Sequence, residues 1–304
     1  GAIAPTLRAG MVLGNILRLR SHPVRRPAGP FRNLRAIRPG MKLITVTAVL
    51  VFLIAIARRI LPPLATRRLS AAQRKVMCTY ATYYGRLGPE GQKRFERIVA
   101  AFVNDKEWAG SGIEVVDEMK VMIGSCAAQL LHGFPDVRLK HFERIMVSQG
   151  PYRSGQSTQA HMGEVRPSVG LIIISWSDFV QGYAHPRNAF NVGLHEMAHA
   201  LWFENAIDNG EFHFLDPELL RKWIAMAHAE IVQMQGGRHS FLRSYAGTNE
   251  AEFFAVTVEY FFEQPKEFQA ALPELYGTLI GLLRQGPAAM ALRTHGPSSP
   301  PGAK

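Results

Sequence analysis

Between residues 70 and 132 apolar positions recur every three or four residues, and the spacing predicts helices over 70–86, 89–106 and 114–132. The third is carried by Met119, Met122, Ile123, Ala127 and Leu130. The period then shortens. Residues 144–147 and 169–176 read as strands, with Leu171-Ile172-Ile173-Ile174 as an unbroken apolar run of the kind buried on both faces of a sheet. Helical spacing returns over 189–204. Asp216-Pro217 opens another helix, with Asp as N-cap and Pro at the first helical position, running to about residue 236. Residues 249–262 form the next, and 266–285 one or two more. Gly, Pro and Ser crowd 286–304, which read as a disordered tail. The pattern predicts an α+β domain over 70–285: a helical N-terminal half (70–140), then a part (141–285) with a small sheet beside the 189–204 helix.

Upstream the pattern is of another kind. Residues 1–40 are rich in Arg and Pro, lack periodicity and read as a disordered basic extension. In the segment 41–64, the fifteen residues 43–57 carry no charge. As a helix they would cover roughly 22 Å, against roughly 30 Å of hydrocarbon in a bilayer. Three readings compete: a cleaved signal peptide, for which Ala55-Ile56-Ala57 offers a small-x-small site; a buried core helix; and a membrane anchor. Arg58, Arg59, Arg67, Arg68, Arg74 and Lys75 beyond the run favour the anchor. Counted from Met41, they leave the folded domain in the cytoplasm. The eight arginines of 1–40 weaken that orientation. A soluble cytoplasmic or an exported protein are the alternatives.

Charge follows the same division. The formal net charge is +11, yet residues 1–75 hold 15 basic and no acidic residues, while the remainder sets 20 basic against 24 acidic. The folded part is slightly acidic, so nucleic acid finds no electrostatic footprint on it. Two cysteines, Cys78 and Cys126, make no disulfide framework and are expected to be packed thiols.

The candidate chemistry lies in the 189–204 helix, which contains His195-Glu196-x-x-His199. Four residues apart on a helix, both imidazoles project from one face and can grip one ion, while Glu196 projects beside it as a general base. The surrounding Val192, Leu194, Met197, Ala198 and Leu201 suit a buried helix. Two unpaired histidines there would be penalised unless a metal satisfied them. A hydrolytic zinc usually takes a third protein ligand. Glu204, Asp208, His213, Asp216, Glu218, Glu230, Glu252 and Glu259 are the downstream candidates. On spacing alone Glu252 competes with a structural role, because Asn249-x-x-Glu252 is close to a capping box, in which Glu bonds back to the cap amide.

The ordered set His195-Glu196-x-x-His199-Ala200-Leu201, Tyr245-Ala246 and Asn249-x-x-Glu252-Phe253-Phe254-Ala255-Val256-x-x-Glu259 resembles the Mlc titration factor A family. Ser154-Gly155-Gln156-Ser157, Gly170–Trp176 and Leu272-Pro273-x-Leu275-Tyr276 extend the likeness over about residues 72–285. These are zinc peptidases whose catalytic region is similar to that of the lethal-factor toxin protease. The resemblance implies a mainly helical zincin-like metallopeptidase domain. It implies Zn2+ on His195, His199 and Glu252, Glu196 as base, and Tyr245 stabilising the oxyanion from seven residues before Glu252. Glu259 would hold the other N–H of a ligating histidine. It further implies short peptides as substrates, cleaved in an aminopeptidase-like or limited manner. If the 170–176 strand borders the cleft, it would hold substrate by strand addition. The alternative it carries is a binding protein that sequesters a transcriptional regulator, the zinc domain serving as scaffold. One departure stands out: many members have Asp three residues after the second histidine, where this chain has Trp202. The role of that Asp would be vacant here or pass to Glu204 or Asp208.

Overall fold

The computed structural model describes residues 68–153, 160–185 and 187–287. The first helix, α1 (Ala71–Tyr80), starts where Ser70 accepts the Gln73 amide and the Gln73 side chain accepts the Ser70 amide, a reciprocal capping box. It ends at Ala81, which leaves helical geometry (φ −78°, ψ 83°), so the helix predicted over 70–86 is divided into α1 and a single turn, α2 (Thr82–Gly85). Next come α3 (Pro89–Asp105) and α4 (Asp117–Leu131). From Met119 onward α4 is buried on nearly every side, because it packs against α1, α3 and the helix of the histidine pair.

Between the helices runs a four-stranded sheet of β1 (Glu107–Ser111), β2 (Arg144–Ser148), β5 (Gly163–Arg166) and β6 (Leu171–Ser175), in the order β1-β2-β6-β5. The first three strands in that order are parallel, and β5 lies antiparallel to β6 at the edge. Ile145 pairs with Ile172 and Val147 with Ile174, all fully buried, as the apolar run requires. A separate two-stranded ladder joins β3 (Tyr152–Arg153) to β4 (Ala160–His161). The strand predicted over 169–176 is shorter than expected at both ends. Gly170, at φ +61°, breaks it from a 3-10 turn at Pro167–Val169, and a Cβ there would meet the His141 carbonyl oxygen at 2.4 Å. Trp176 already opens α5 (Trp176–Ala184).

The histidine-pair helix, α6 (Val192–Glu204), is wrapped by α4, α5, the sheet and α8 (Glu250–Glu263). Between them runs α7 (Pro217–Gln235), capped as predicted by Asp216, whose side chain accepts the amides of Glu218 and Leu219. The last stretch is two helices, α9 (Pro265–Ala271) and α10 (Pro273–Leu283), each opening on a proline. The fold is thus α+β, mostly helical, with one small mixed sheet. Cys126 is buried as expected; Cys78, expected to be packed, is exposed on the polar side of α1. The expected anchor at 43–57, the extension 1–40 and the tail from residue 288 lie outside the described residues. Among the described residues no helix is long and apolar enough to cross a membrane.

Candidate metal centre

The start of α6 sets the geometry. Ala189 adopts φ +53°, so the helix cannot begin there as predicted. It begins after Asn191, whose side chain accepts the Leu194 amide at 3.0 Å. Gly193 lets the helix approach its neighbours, since a Cβ would lie 2.5 Å from the Phe179 ring and 2.6 Å from Cys126 Sγ. On the opposite side the rings of His195 and His199 stand 4.7 Å apart, nearly perpendicular.

The third arm comes from α8. Asn249 caps that helix by accepting the Glu252 amide at 3.0 Å, so half of the anticipated capping box exists. The Glu252 carboxylate does not bond back. It crosses to α6, where Oε2 lies 3.1 Å from His195 Nε2 and 3.2 Å from His199 Nε2, the two nitrogens being 3.1 Å apart. Metal–ligand bonds of about 2.0–2.1 Å in tetrahedral geometry put neighbouring ligand atoms roughly 3.3 Å apart, so the triangle fits one face of such a site. Two imidazole nitrogens and a carboxylate oxygen are also donors of the right chemistry.

Around this triangle the carboxylates are arranged in layers. Glu259, only 1% exposed, accepts His195 Nδ1 at 2.7 Å, the Asn191 amide at 2.5 Å and the Arg243 guanidinium. With Nδ1 donating, His195 presents its Nε2 lone pair to the centre. Burial disfavours the His195 imidazolium, but Glu259, with Glu252, outweighs it and lifts the group to about 10 in the metal-free protein. Burial also opposes ionisation of Glu252, yet hydrogen bonds from both histidines hold it well below the usual carboxylate range. A cation at the triangle would take the place of those protons.

Glu196 is 4% exposed, and Gly163 of β5 makes its room: a Cβ at 163 would lie 2.2 Å from Glu196 Oε1. Among the described residues its Oε2 has no hydrogen-bond partner. In the metal-free protein, burial, reinforced by Glu252 and Glu259 against His195, pushes this carboxyl up to about 8; a cation at the triangle would favour its ionised form. Tyr245 sits in a 3-10 turn (Ser244–Gly247), half exposed, its ring 6.1 Å from that of His195. Burial, with Glu252 beside it, pushes the phenol up to about 12, so it stays a hydrogen-bond donor at neutral pH. A cavity of about 370 Å³ opens here, walled by His195, Glu196 and Tyr245 and by the apolar Met162, Phe190 and Val192.

The other candidates from the sequence stand elsewhere. Glu204 is buried under the His141 amide and Asn209. Asp208, His213, Asp216 and Glu218 are exposed, and Glu230 accepts the Ser240 hydroxyl. Trp202 packs on Trp223 and Phe254 at ring separations of 5.7 and 5.1 Å. Neither Glu204 nor Asp208 stands in for the missing Asp, and His199 Nδ1 is buried without a partner among the described residues. The expectation of strand addition along 170–176 is also corrected. β6 is paired on both sides, by β2 and β5, so its backbone groups are taken and the outer edge belongs to β5. Arg243, Asn191 and Gly163 escape a reading of the sequence. The available signal for Arg243 was that it is the lone cation between residues 239 and 265, a stretch that buries Glu259.

Comparison with known proteins follows the same lines. The profile of the family described as Glucose-regulated metallo-peptidase M90 matches residues 56–284. An uncharacterized protein of Synechocystis sp. is 24% identical over 213 residues, 65% of this chain and 78% of its own length. Mlc titration factor A of Salmonella agona is 30% identical over 159 residues, 50% of this chain and 54% of the relative. The protein of that name from Escherichia coli O139:H28 is 28% identical over 166 residues, 53% of this chain and 56% of the relative. The chain thus spans about half the length of the Mlc titration factor A relatives it matches.

Proposed function

We propose, from the premise that the chain belongs to the glucose-regulated metallo-peptidase M90 family, that it hydrolyses peptide bonds at a zinc ion held by His195, His199 and Glu252. The observation that carries this is the triangle of three ligand atoms 3.1–3.2 Å apart, with the Glu196 carboxyl buried beside it. Bound zinc supplies a Lewis acid that polarises the scissile carbonyl and acidifies the attacking water. Glu196 takes the proton of that water and passes it to the leaving amine. The Tyr245 hydroxyl donates a hydrogen bond to the charge developing on the carbonyl oxygen. Glu259 fixes the His195 ring through Nδ1. The outer edge of β5, beginning at Gly163 beside Glu196, aligns an extended peptide by backbone hydrogen bonds, in place of the strand the sequence suggested. Short peptides, cleaved in an aminopeptidase-like or limited manner, are the proposed substrates.

A second reading, capture of a transcriptional regulator, is supported by the name of the relatives. It predicts a partner-binding surface and no need for Glu196. A tether through residues 43–57, holding the domain at the cytoplasmic side of a membrane, is the companion proposal on location.

The test is the full chain loaded with one equivalent of zinc and given a mixed peptide library beside Glu196→Gln. We expect equal zinc content by elemental analysis, cleavage by the parent and none by the variant. Cleavage by both would remove Glu196 from the mechanism, and an absence of zinc from the parent would sink the proposal.

A further inference from the structure

Arg243 lies outside the ligand set, yet it touches three elements that shape the centre. One guanidinium nitrogen donates to Glu259 Oε1, the oxygen that also takes His195 Nδ1. Another donates to the carbonyl of Ala189, the residue held at φ +53° just before α6. The guanidinium carbon lies 5.4 Å above the Phe190 ring, within cation–π range. Two residues on, the same chain segment carries Tyr245. Glu259 is almost wholly buried and, among the described residues, has no other Lys or Arg partner, and an uncompensated buried carboxylate is costly. A planar fork is the side chain that can bind a carboxylate and a carbonyl at once; a lysine ammonium is a point charge without that reach.

From this geometry we infer that Arg243 is a positioning residue: it clamps the entry turn of the histidine helix to Glu259, and so fixes His195 as a ligand and Tyr245 beside it. The inference rests on the zinc-peptidase reading of the same site. Ligand-orienting partners of this kind typically contribute 10–100-fold to metal affinity. The arginine acts on the metal site before any substrate is present, so metal affinity is the primary measurement.

The experiment uses the full chain and four variants: Arg243→Met, Arg243→Lys, Glu259→Gln and the Arg243→Met/Glu259→Gln double. Zinc affinity is measured by competition with a chromophoric chelator, alongside thermal unfolding and kcat and KM on a cleaved peptide. Arg243→Met should weaken zinc binding about 10-fold or more and lower kcat, with KM nearly unchanged. Arg243→Lys should recover part of both losses, because it keeps a cation beside Glu259. The double variant should bind zinc no worse than the weaker single, since both changes break one chain of contacts. Unchanged zinc affinity in Arg243→Met with a raised KM would make Arg243 a substrate contact and overturn the inference. A lowered melting temperature with unchanged zinc affinity, or additive losses in the double, would overturn it too. Should Arg243→Met not fold, Arg243→Lys and Glu259→Gln carry the same comparison. A parent chain that binds no zinc would instead defeat the underlying zinc reading.

Discussion

Glu263 offers a quantitative test of the electrostatics behind the centre. It lies one turn beyond Glu259 on α8, and its Oε1 accepts the Asn191 side-chain amide at 3.0 Å. Burial, with Glu259 close by, pushes the carboxyl from 4.5 up to about 7 against opposing hydrogen bonds from the Asn191 side chain and the Ala189 and Phe190 backbone. Each unit of pKa difference is worth about 1.4 kcal/mol, so the full effect is about 3 kcal/mol. The sign follows from proton binding. Between pH 4.5 and 7 the folded carboxyl keeps a proton that the unfolded one releases, so stability falls as pH rises through this window and is level above it. Glu263→Gln removes the titration while keeping the shape and an oxygen for Asn191. In metal-free protein, urea unfolding should find the parent losing about 2 kcal/mol more than the variant between pH 5 and pH 8, after discounting for residual solvent screening. With a urea slope of about 2 kcal/mol per molar, the parent's midpoint should drop by about 1 M relative to the variant's. Parallel pH dependence in the two proteins would refute the argument, because all other titrating groups are common to both.

Two further predictions concern the cavity. Gly163→Ala would place a methyl 2.2 Å from Glu196 Oε1, displacing the proposed base but not the three residues of the triangle. Steady-state kinetics should show kcat falling at least about 10-fold while elemental analysis finds the zinc content unchanged; loss of zinc would mean that the strand supports the ligands themselves. Tyr245→Phe should lower kcat by about 10²–10³ with KM nearly constant, and a change confined to KM would assign the phenol to substrate binding.

Elements whose pattern is local were legible in the sequence. The apolar run of β6 is buried as its composition demands, and Asp216 caps α7 where its position before proline says it should. The histidine pair needs only helical spacing. What escaped notice depends on partners distant in sequence. β1 (Glu107-Trp108-Ala109-Gly110-Ser111) is mostly exposed and carries no apolar alternation; it is a strand because β2 offers it an edge. β5 is four residues long, and β3 and β4 two each. Glu252 shows the limit most clearly. Asn249 and Glu252 have cap spacing, and the cap does form through Asn249. Only the packing of α8 on α6 determines that the glutamate side chain serves a different neighbour. Arg243 is hidden for the same reason: its three partners lie at positions 189, 190 and 259.

The distance along the chain between the arms of the centre has a consequence in time. His199 and Glu252 are 53 residues apart, and His195 and Glu259 are 64 apart. A ribosome therefore releases the histidine helix well before the helix that completes the ligand triangle, and Tyr245 and Arg243 also arrive in that later stretch. Until α8 docks on α6, the emerging chain offers two imidazoles with no carboxylate between them and no clamp on the turn before them. Two neutral nitrogens hold a divalent ion far less firmly than the completed set. A metal centre built this way is completed only when α8 docks on α6, so its assembly coincides with the closure of the fold.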